Sequence, residues 1–410
     1  MSLFMIFLSL MLAATPQEEP VQPVTLSVEQ AVEIAFQKNP TIQVLVQEIE
    51  SAKAQTLINS SLPDAEAGLE VEALGFTGTA RNSESEFSFG LIQPFPFPGK
   101  LKLRARIGES YESEARLRLE KEKILLASEV KKAYYRCLLN QKTEETLGKN
   151  LELLEEIQKN AISRYALGAV PYTDLLRVRI EIARTRNALF EARKELAMSF
   201  SQLNQLLGLE KDTPLELTST LQYQPLSQQP DQLIEKAKAS SPTLKISSLQ
   251  KSRSELLVKL AEKNRLPDFS FGFYTPSHRL GAAGFSFGLS YPLFSWKRLT
   301  GEKQLAAAEV QKAVFAALAT EKFYESRKKQ ALSEIRQAEQ QVKAFEESLL
   351  METEAELEKA LNDYRLGRLD SLNLLDLYRN ASLVRLEYYR ALYFYHCSLA
   401  EFERAGEDYE

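Results

Sequence analysis

The sequence predicts a mainly α protein with a small membrane β-barrel portion. It is built as two tandem pseudo-repeats, each holding two strands and long coiled-coil helices. Three observations carry this: motifs that recur about 200 residues apart, four stretches of two-residue alternation, and helical runs far longer than a globular domain uses. Leu62-Pro63-Asp64 returns as Leu266-Pro267-Asp268 at an offset of 204, and Phe87-Ser88-Phe89-Gly90-Leu91 returns letter for letter as Phe285-Ser286-Phe287-Gly288-Leu289 at 198. Tyr165-Ala166-Leu167-Gly168 returns as Tyr364-Arg365-Leu366-Gly367 at 199, with a looser echo of Asn39-Pro40-Thr41-Ile42 in Ser241-Pro242-Thr243-Leu244 at 202. Four motifs in one order at nearly one offset mean a duplicated structural unit.

The strands come first. Ala65, Ala67, Leu69 and Val71 alternate with Asp64, Glu66, Gly68, Glu70 and Glu72. Phe87, Phe89 and Leu91 alternate with Glu86, Ser88 and Gly90. The second half repeats the pattern with Phe269, Phe271 and Phe273, then with Phe285, Phe287 and Leu289. Alternation places each set on one face of a sheet, and bulky apolar residues opposite small and acidic ones fit a lipid-facing wall around a wet lumen. A soluble sandwich with one buried face fits the strands taken alone. The flanks, Phe95-Pro96-Phe97-Pro98-Gly99-Lys100 and Tyr291-Pro292-Leu293-Phe294-Ser295-Trp296-Lys297-Arg298, favour the membrane, because aromatic and basic residues gather at its boundary with water. The turn-rich stretches at Gly75-Phe76-Thr77-Gly78 and Pro276-Ser277-His278-Arg279 read as far-side hairpin tips, with His278 a solvated loop residue. Four strands cannot close a barrel, which needs about eight, so strands in lipid require several chains to pool them.

The helices follow. No proline lies between Pro98 and Pro171 or after Pro292, and no glycine between Glu302 and Leu366. A helix of about 65 residues is roughly 100 Å long. The return helices carry a heptad at Leu175, Ile182, Leu189, Leu196 and Leu203, matched by Leu374, Ala381, Tyr388, Tyr395 and Phe402. A seven-residue repeat specifies a left-handed coiled coil, for which a rod-like structural tether is the plainer use. Residues 27–60 and 231–262 also read as helical.

In order, the chain reads as a signal peptide (1–15) and a first repeat (16–209). That repeat has a helix, strands near 64–74 and 84–93, a long helix 99–163, a tip turn 165–171 and a return helix 171–207. A linker (210–230) leads to a second repeat (231–404) with a helix, strands near 268–275 and 283–292, a long helix 295–363, a tip turn 364–370 and a return helix 370–403. Residues 405–410 read as a loose acidic tail. The apolar run at the start is too short to span a bilayer but suits an export signal, although no Lys or Arg precedes it.

Composition narrows the chemistry. The 410 residues carry a net charge of −5, so no basic surface invites nucleic acid. Two Cys and two His exclude a disulfide framework and argue against a resident zinc or iron–sulfur site; no metal and no cofactor are expected. There is no phosphate loop, nucleophile elbow or His-centred acid–base group, and acidic pairs such as Glu144-Glu145 and Glu155-Glu156 suit a solvated helix face. The chain does not read as an enzyme.

These residues resemble the TolC-type outer-membrane efflux family over essentially the whole mature chain. The match is carried by Tyr165-x-x-Gly168 followed by Thr173-Asp174-Leu175-Leu176, and by Tyr364-x-x-Gly367 followed by Leu372-Asn373-Leu374-Leu375-Asp376. The stretch Gln93-Pro94-Phe95-Pro96-Phe97-Pro98-Gly99-Lys100 is similar to the subgroup that works with heavy-metal cation exporters. The resemblance implies a homotrimer in the outer membrane of a Gram-negative-type bacterium, with a 12-stranded barrel and an α-helical tunnel through the periplasm. It implies a passive exit duct for solutes such as metal cations or drugs, served by an inner-membrane pump of the resistance–nodulation–division class and a periplasmic adaptor. The outer-membrane part of a type I protein secretion system and a non-transporting trimeric coiled coil are the alternatives. By the resemblance, the closed tip rests on Asp174, Asp376, Tyr165 and Tyr364 around the turns at Gly168 and Gly367. Asn373 stands where an aspartate would complete a second acidic ring, and Leu369 where a gating Arg is expected, beside Arg365 and Arg368.

Overall fold

The computed structural model describes residues 24–72, 86–211, 213–225, 230–276, 283–291 and 294–409. The expected signal peptide and the hairpin tips around Gly75 and His278 lie outside them. After strand β1 (Val24–Leu26), Ser27 opens helix α1 (Val28–Lys38) with a capping box, its hydroxyl accepting from Gln30 N and Gln30 Oε1 accepting from Ser27 N at 2.8 Å. Asn39, extended ahead of Pro40, ends α1, and Pro40 begins α2 (Pro40–Ser60). The helix read across 27–60 is therefore two helices, because the residue before proline is pushed out of the α region. After strands β2 (Glu66–Glu72) and β3 (Glu86–Phe95) come the long α3 (Lys100–Ala166), α4 (Tyr172–Leu207) and β4 (Leu215–Leu217). The second half repeats the plan: α5 (Pro230–Ser240), α6 (Pro242–Lys263), β5 (Asp268–Pro276), β6 (Gly284–Ser290) and α7 (Trp296–Ala344). Here the long helix is not continuous. A π turn at Phe345–Leu349 separates α7 from α8 (Leu350–Arg365), and α9 (Ser371–Arg404) returns.

The chain divides into two units: one of Met1–Pro40, Leu126–Ser227 and Ala331–Glu403, the other of Thr41–Leu125, Gln228–Gln330 and Arg404–Glu410. The second contains the four-stranded antiparallel sheet, ordered β2-β3-β5-β6, so the two repeats meet at the β3–β5 pairing. Their junction is locked by Lys100 Nζ, which donates to Asp268 Oδ1 at 2.8 Å and to Leu266 O at 3.1 Å, while Phe97 N donates to the same carboxylate oxygen at 2.6 Å. Lys100 is buried, and a buried ammonium needs such partners.

The same unit corrects the reading of the chain's acidic tail as loose over residues 405–409. Ala405 and Glu407 are buried. Glu407 Oε2 accepts from Thr243 N at 3.1 Å in the first turn of α6, Lys121 Nζ donates to Tyr409 O at 2.7 Å, and Arg327 lies 3.5 Å from Asp408. An acidic tail is held where a helix N-terminus and two cations offer it complementary charge.

The other unit holds a feature that the linker reading missed. Its β4 pairs in parallel with β1, and the strap that follows is pinned from the long helices. Tyr134 OH donates to Leu26 O at 2.8 Å and accepts from Ser219 N at 3.1 Å; Tyr395 OH donates to Gln224 O at 2.5 Å. His396 Nε2 lies 2.9 Å from Gln222 O, and its ring stacks on Tyr135 at 4.1 Å. These are buried polar groups satisfied by backbone that has no long ladder of its own.

Burial holds the His396 imidazole below the usual histidine pKa, against a smaller raising effect of the Gln222 carbonyl. The neutral ring therefore contributes its full stability above the unfolded value of about 6.5, and that contribution is lost as pH falls through the lower folded value. The unfolding midpoint of the wild type should drop more steeply than that of His396→Gln between about pH 7 and pH 5, read by circular dichroism. Parallel curves would remove His396 from the acid sensitivity of the fold.

Candidate aperture and barrel face

The two tip turns share one geometry. Gly168 and Gly367 take φ of 71° and 76°, the left-handed region that only glycine enters at no steric cost. Ala169 N donates to Arg164 O at 2.9 Å and Arg368 N to Asp363 O at 2.8 Å, while Gly168 N and Gly367 N reach Tyr165 O and Tyr364 O. Both long helices thus end in Schellman motifs. Below them α3, α4, α8 and α9 enclose a cluster that includes Leu154, Ile157, Leu175, Val178, Leu374 and Leu375. Leu175 and Leu374 belong to the heptad series of the return helices, so the coiled-coil seam is part of the core here.

The residues around the turns are less symmetric than their motifs. Tyr364 is buried under the Arg164 guanidinium, 5.2 Å from its ring centre, and burial raises its pKa, helped by the charge of Asp174 and opposed by Arg164. Tyr165, its counterpart, is exposed and meets Tyr172 edge-on at 5.8 Å. Asp174 sits half-buried in the first turn of α4, 3.2 Å from Arg177, where its charge complements the helix dipole. Asp376, a turn further along α9, is exposed, as are Asn373 and Arg368. The N-cap of α9 is Asp370, whose Oδ1 accepts from Asn373 N at 2.9 Å. Leu369 packs on the core cluster instead of supplying a charge.

Sequence reasoning missed the ion pair that joins the two repeats just inside the tip. Glu181, buried on α4, takes Arg379 of α9 through Nε at 3.1 Å and Nη2 at 2.6 Å. Nearby, Thr185 Oγ1 and Tyr378 OH lie 3.5 Å apart. A second bridge, Glu156 to Arg365 at 2.6 Å, joins α3 to α8. The signal was present as one acid in an apolar heptad face, Leu175-Val178-Glu181-Ile182-Thr185.

The sheet supplies the other candidate surface. Register pairs Leu69 with Phe89, Ala67 with Leu91, Leu91 with Phe273, Phe269 with Leu289, Phe271 with Phe287 and Phe273 with Phe285. Directly opposed residues share a face, so every bulky position singled out from alternation lies on one side of all four strands. Phe87 pairs with Val71 on that side, although its side chain lies outside the described set. Phe285, Phe287, Leu289, Leu91 and Phe89 are exposed, and Phe271 stacks on Phe285 at 5.8 Å. The other face is mixed: Gly288 lies under Ser270 and Gly272 under Ser286, but it also carries the exposed Ile92 and Tyr274. At the sheet's helical end Tyr291, Phe294 and Trp296 are exposed beside Lys297 and Arg298. Among the described residues no helix is long and apolar enough to cross a membrane, and no cluster of His, Cys, Asp or Glu could hold a metal ion.

The sequence model of the family described as outer membrane efflux protein matches residues 31–209, which is the first repeat, and the second repeat carries the same elements in the same order. The first repeat therefore matches the outer membrane efflux protein family. The fold extends the likeness to both halves. The Campylobacter jejuni CmeC outer membrane channel superposes with a TM-score of 0.78 at 17% identity, covering 93% of this chain and 86% of that one. The open state of the Neisseria gonorrhoeae MtrE outer membrane channel gives 0.77 at 16%, covering 93% and 88%. CusC, solved for the conformational changes accompanying folding and transmembrane channel formation, gives 0.76 at 19%, covering 92% and 90%. At these identities the likeness is one of fold. Among curated proteins none matches the chain. The chain presents two surfaces that matter: the largely apolar face of its sheet and the turn-bearing end of its helices.

Proposed function

We propose that the protein is the outer-membrane exit duct of a tripartite efflux system, passively conducting solutes delivered by an inner-membrane pump through a periplasmic adaptor. The observation that carries this reading is the sheet: one face lined mostly by Ala, Leu and Phe, with Gln93 and Thr275 among them, the other rich in Gly, Ser and acidic residues, with Ile92 and Tyr274 among them, and both outer edges open among the described residues. Three chains supply twelve strands, close the barrel and satisfy those edges. The helices continue into the periplasm, and the ends at Gly168 and Gly367 form the aperture. The family match of the first repeat and the fold shared with outer membrane channels support both the location and the role, and support a conduit in place of an enzyme. A wide wet duct needs no tight ligand, so selectivity lies mainly with the pump, which fits the resistance–nodulation–division class implied by the post-strand motif.

The barrel reading has a direct test in its two faces. Phe271→Lys or Phe287→Lys should hinder insertion, since a Lys at the lipid midplane of a barrel costs about 2–4 kcal/mol. Ser270→Lys and Ser286→Lys, on the opposite face, should be far milder. Outer-membrane yield measures both, and equal losses from the two faces would contradict the assignment.

In the trimer, three copies of Asp174 and of Asp376 surround the opening, and a ring of carboxylates attracts cations. Asp174→Ala with Asp376→Ala should leave the trimer assembled, raise single-channel conductance and weaken block by multivalent cations. If conductance, cation selectivity and block stay at wild-type values while thermal stability falls, the two aspartates serve their helix ends and the gate is elsewhere.

A further inference from the structure

The chain carries 51 basic and 56 acidic residues, yet the balance reverses where the strands hand over to the helices. The segments 57–66, 94–108, 259–268 and 294–303, which flank the sheet at that end, hold ten cations against five acids. Three of those acids are taken: Asp268 by Lys100, Glu302 by Arg298 at 2.6 Å and Glu262 by Lys303 at 3.0 Å. Lys102, Arg106 and Lys297 are exposed and, among the described residues, have no acid partner.

This arrangement works against the helices that carry it. A helix N-terminus disfavours positive charge, and like charges four residues apart repel. Helices α1 and α4 accordingly place Glu29 and Asp174 in their first turns. Helix α3 has no acid there and runs through Lys100, Lys102, Arg104 and Arg106 before its first acid, Glu109; α7 opens on Trp296-Lys297-Arg298. Lys102 and Arg106 are one turn apart and both exposed. No acidic side chain among the described residues offsets that cost, whereas an external anion would.

The surroundings identify the anion. Phe95 and Tyr291 extend the alternation of the bulky face, and both are exposed together with Trp296 and with Phe294, whose side is 98% bare. Uncovered rings beside Lys and Arg match the boundary where acyl chains meet headgroups. Lys102 to Arg106 rise about 3–9 Å beyond Lys100 along the helix, close to the depth of one headgroup layer, about 5–8 Å. The anion at that depth is a phosphodiester, whose oxygens accept charge-assisted hydrogen bonds from Lys and Arg.

We propose that this rim binds phospholipid headgroups of the inner leaflet through Lys102, Arg106 and Lys297, with preference for a net-negative headgroup such as phosphatidylglycerol. The site rests on the exit-duct reading, which puts the starts of α3 and α7 on the periplasmic side of the barrel. Bound phosphate relieves the repulsion between Lys102 and Arg106, so the protein gains stability from anionic lipid that it lacks in neutral detergent.

The test titrates the detergent-extracted protein with phosphatidylglycerol, phosphatidylcholine or inorganic phosphate while thermal unfolding is followed. Phosphatidylglycerol should raise the midpoint, phosphatidylcholine should raise it by less than half as much, and inorganic phosphate should leave it unchanged. From an equimolar lipid mixture, native mass spectrometry should find phosphatidylglycerol retained about fivefold or more over phosphatidylcholine, as clustered cations attract anionic lipid. The triple variant Lys102→Gln, Arg106→Gln, Lys297→Gln should lose that preference, yet unfold without lipid at or above the wild-type midpoint, because the repulsion is gone. Equal retention of both lipids by the wild type, an undiminished preference in the variant, or an equal shift from inorganic phosphate would overturn the site and leave the duct reading standing. A lower lipid-free midpoint in the variant would make the three cations structural and overturn it too. The wild-type retention decides where the variant fails to assemble. A monomer that stays folded without detergent and ignores all three additions would remove the duct reading along with the site.

Discussion

A backbone N–H or C=O without a partner in hydrocarbon costs several kcal/mol, and that constraint organises this chain. Each repeat supplies only two strands, and the sheet they make together still leaves β2 and β6 with one open edge each among the described residues. The apolar face makes water an unsuitable solvent for this sheet, and the open edges make lipid unsuitable for a single copy. The proposed assembly of three chains would resolve both. The Lys100–Asp268 contact sets where both repeats leave the sheet for their helices, and in the proposed trimer it would present the pooled strands at one level.

Duplication provided the parts, and divergence between the copies differentiated the tip. The turns at Gly168 and Gly367 kept the same hydrogen bonds because a left-handed residue is a backbone requirement, indifferent to what surrounds it. The side chains around them answered to different neighbours. Tyr364 became core under Arg164 whereas Tyr165 stayed at the surface. The cross-repeat pair Glu181–Arg379 has no twin, since the residues matching Glu181 and Arg379 at the tip offset of 199 are Asn380, an exposed amide on α9, and Ile180 on α4.

Much of this was legible in the sequence, for identifiable reasons. Alternation and register are period-two properties, so Phe271, Phe287 and Leu91 could be placed on one face before any pairing was known. The heptads likewise named Leu175, Ile182 and Leu374 as core. What escaped were long-range polar contacts. Nothing local marks Tyr134, Tyr395 and His396 as anchors for a strap some 80 to 170 residues away. The acidic end of the chain read as loose because its partners, Thr243, Lys121 and Arg327, are remote in sequence. The π turn was invisible to helix periodicity, although the step from 198 to 199 in the repeat offset recorded it.

The central claim is that four strands per chain become a closed barrel only by threefold pooling. Native mass spectrometry of protein extracted by mild detergent from the outer-membrane fraction tests it most directly. The expected species has three times the mass of the mature chain and persists only while detergent covers the aromatic face. A monomer that stays soluble and folded without detergent would contradict the claim.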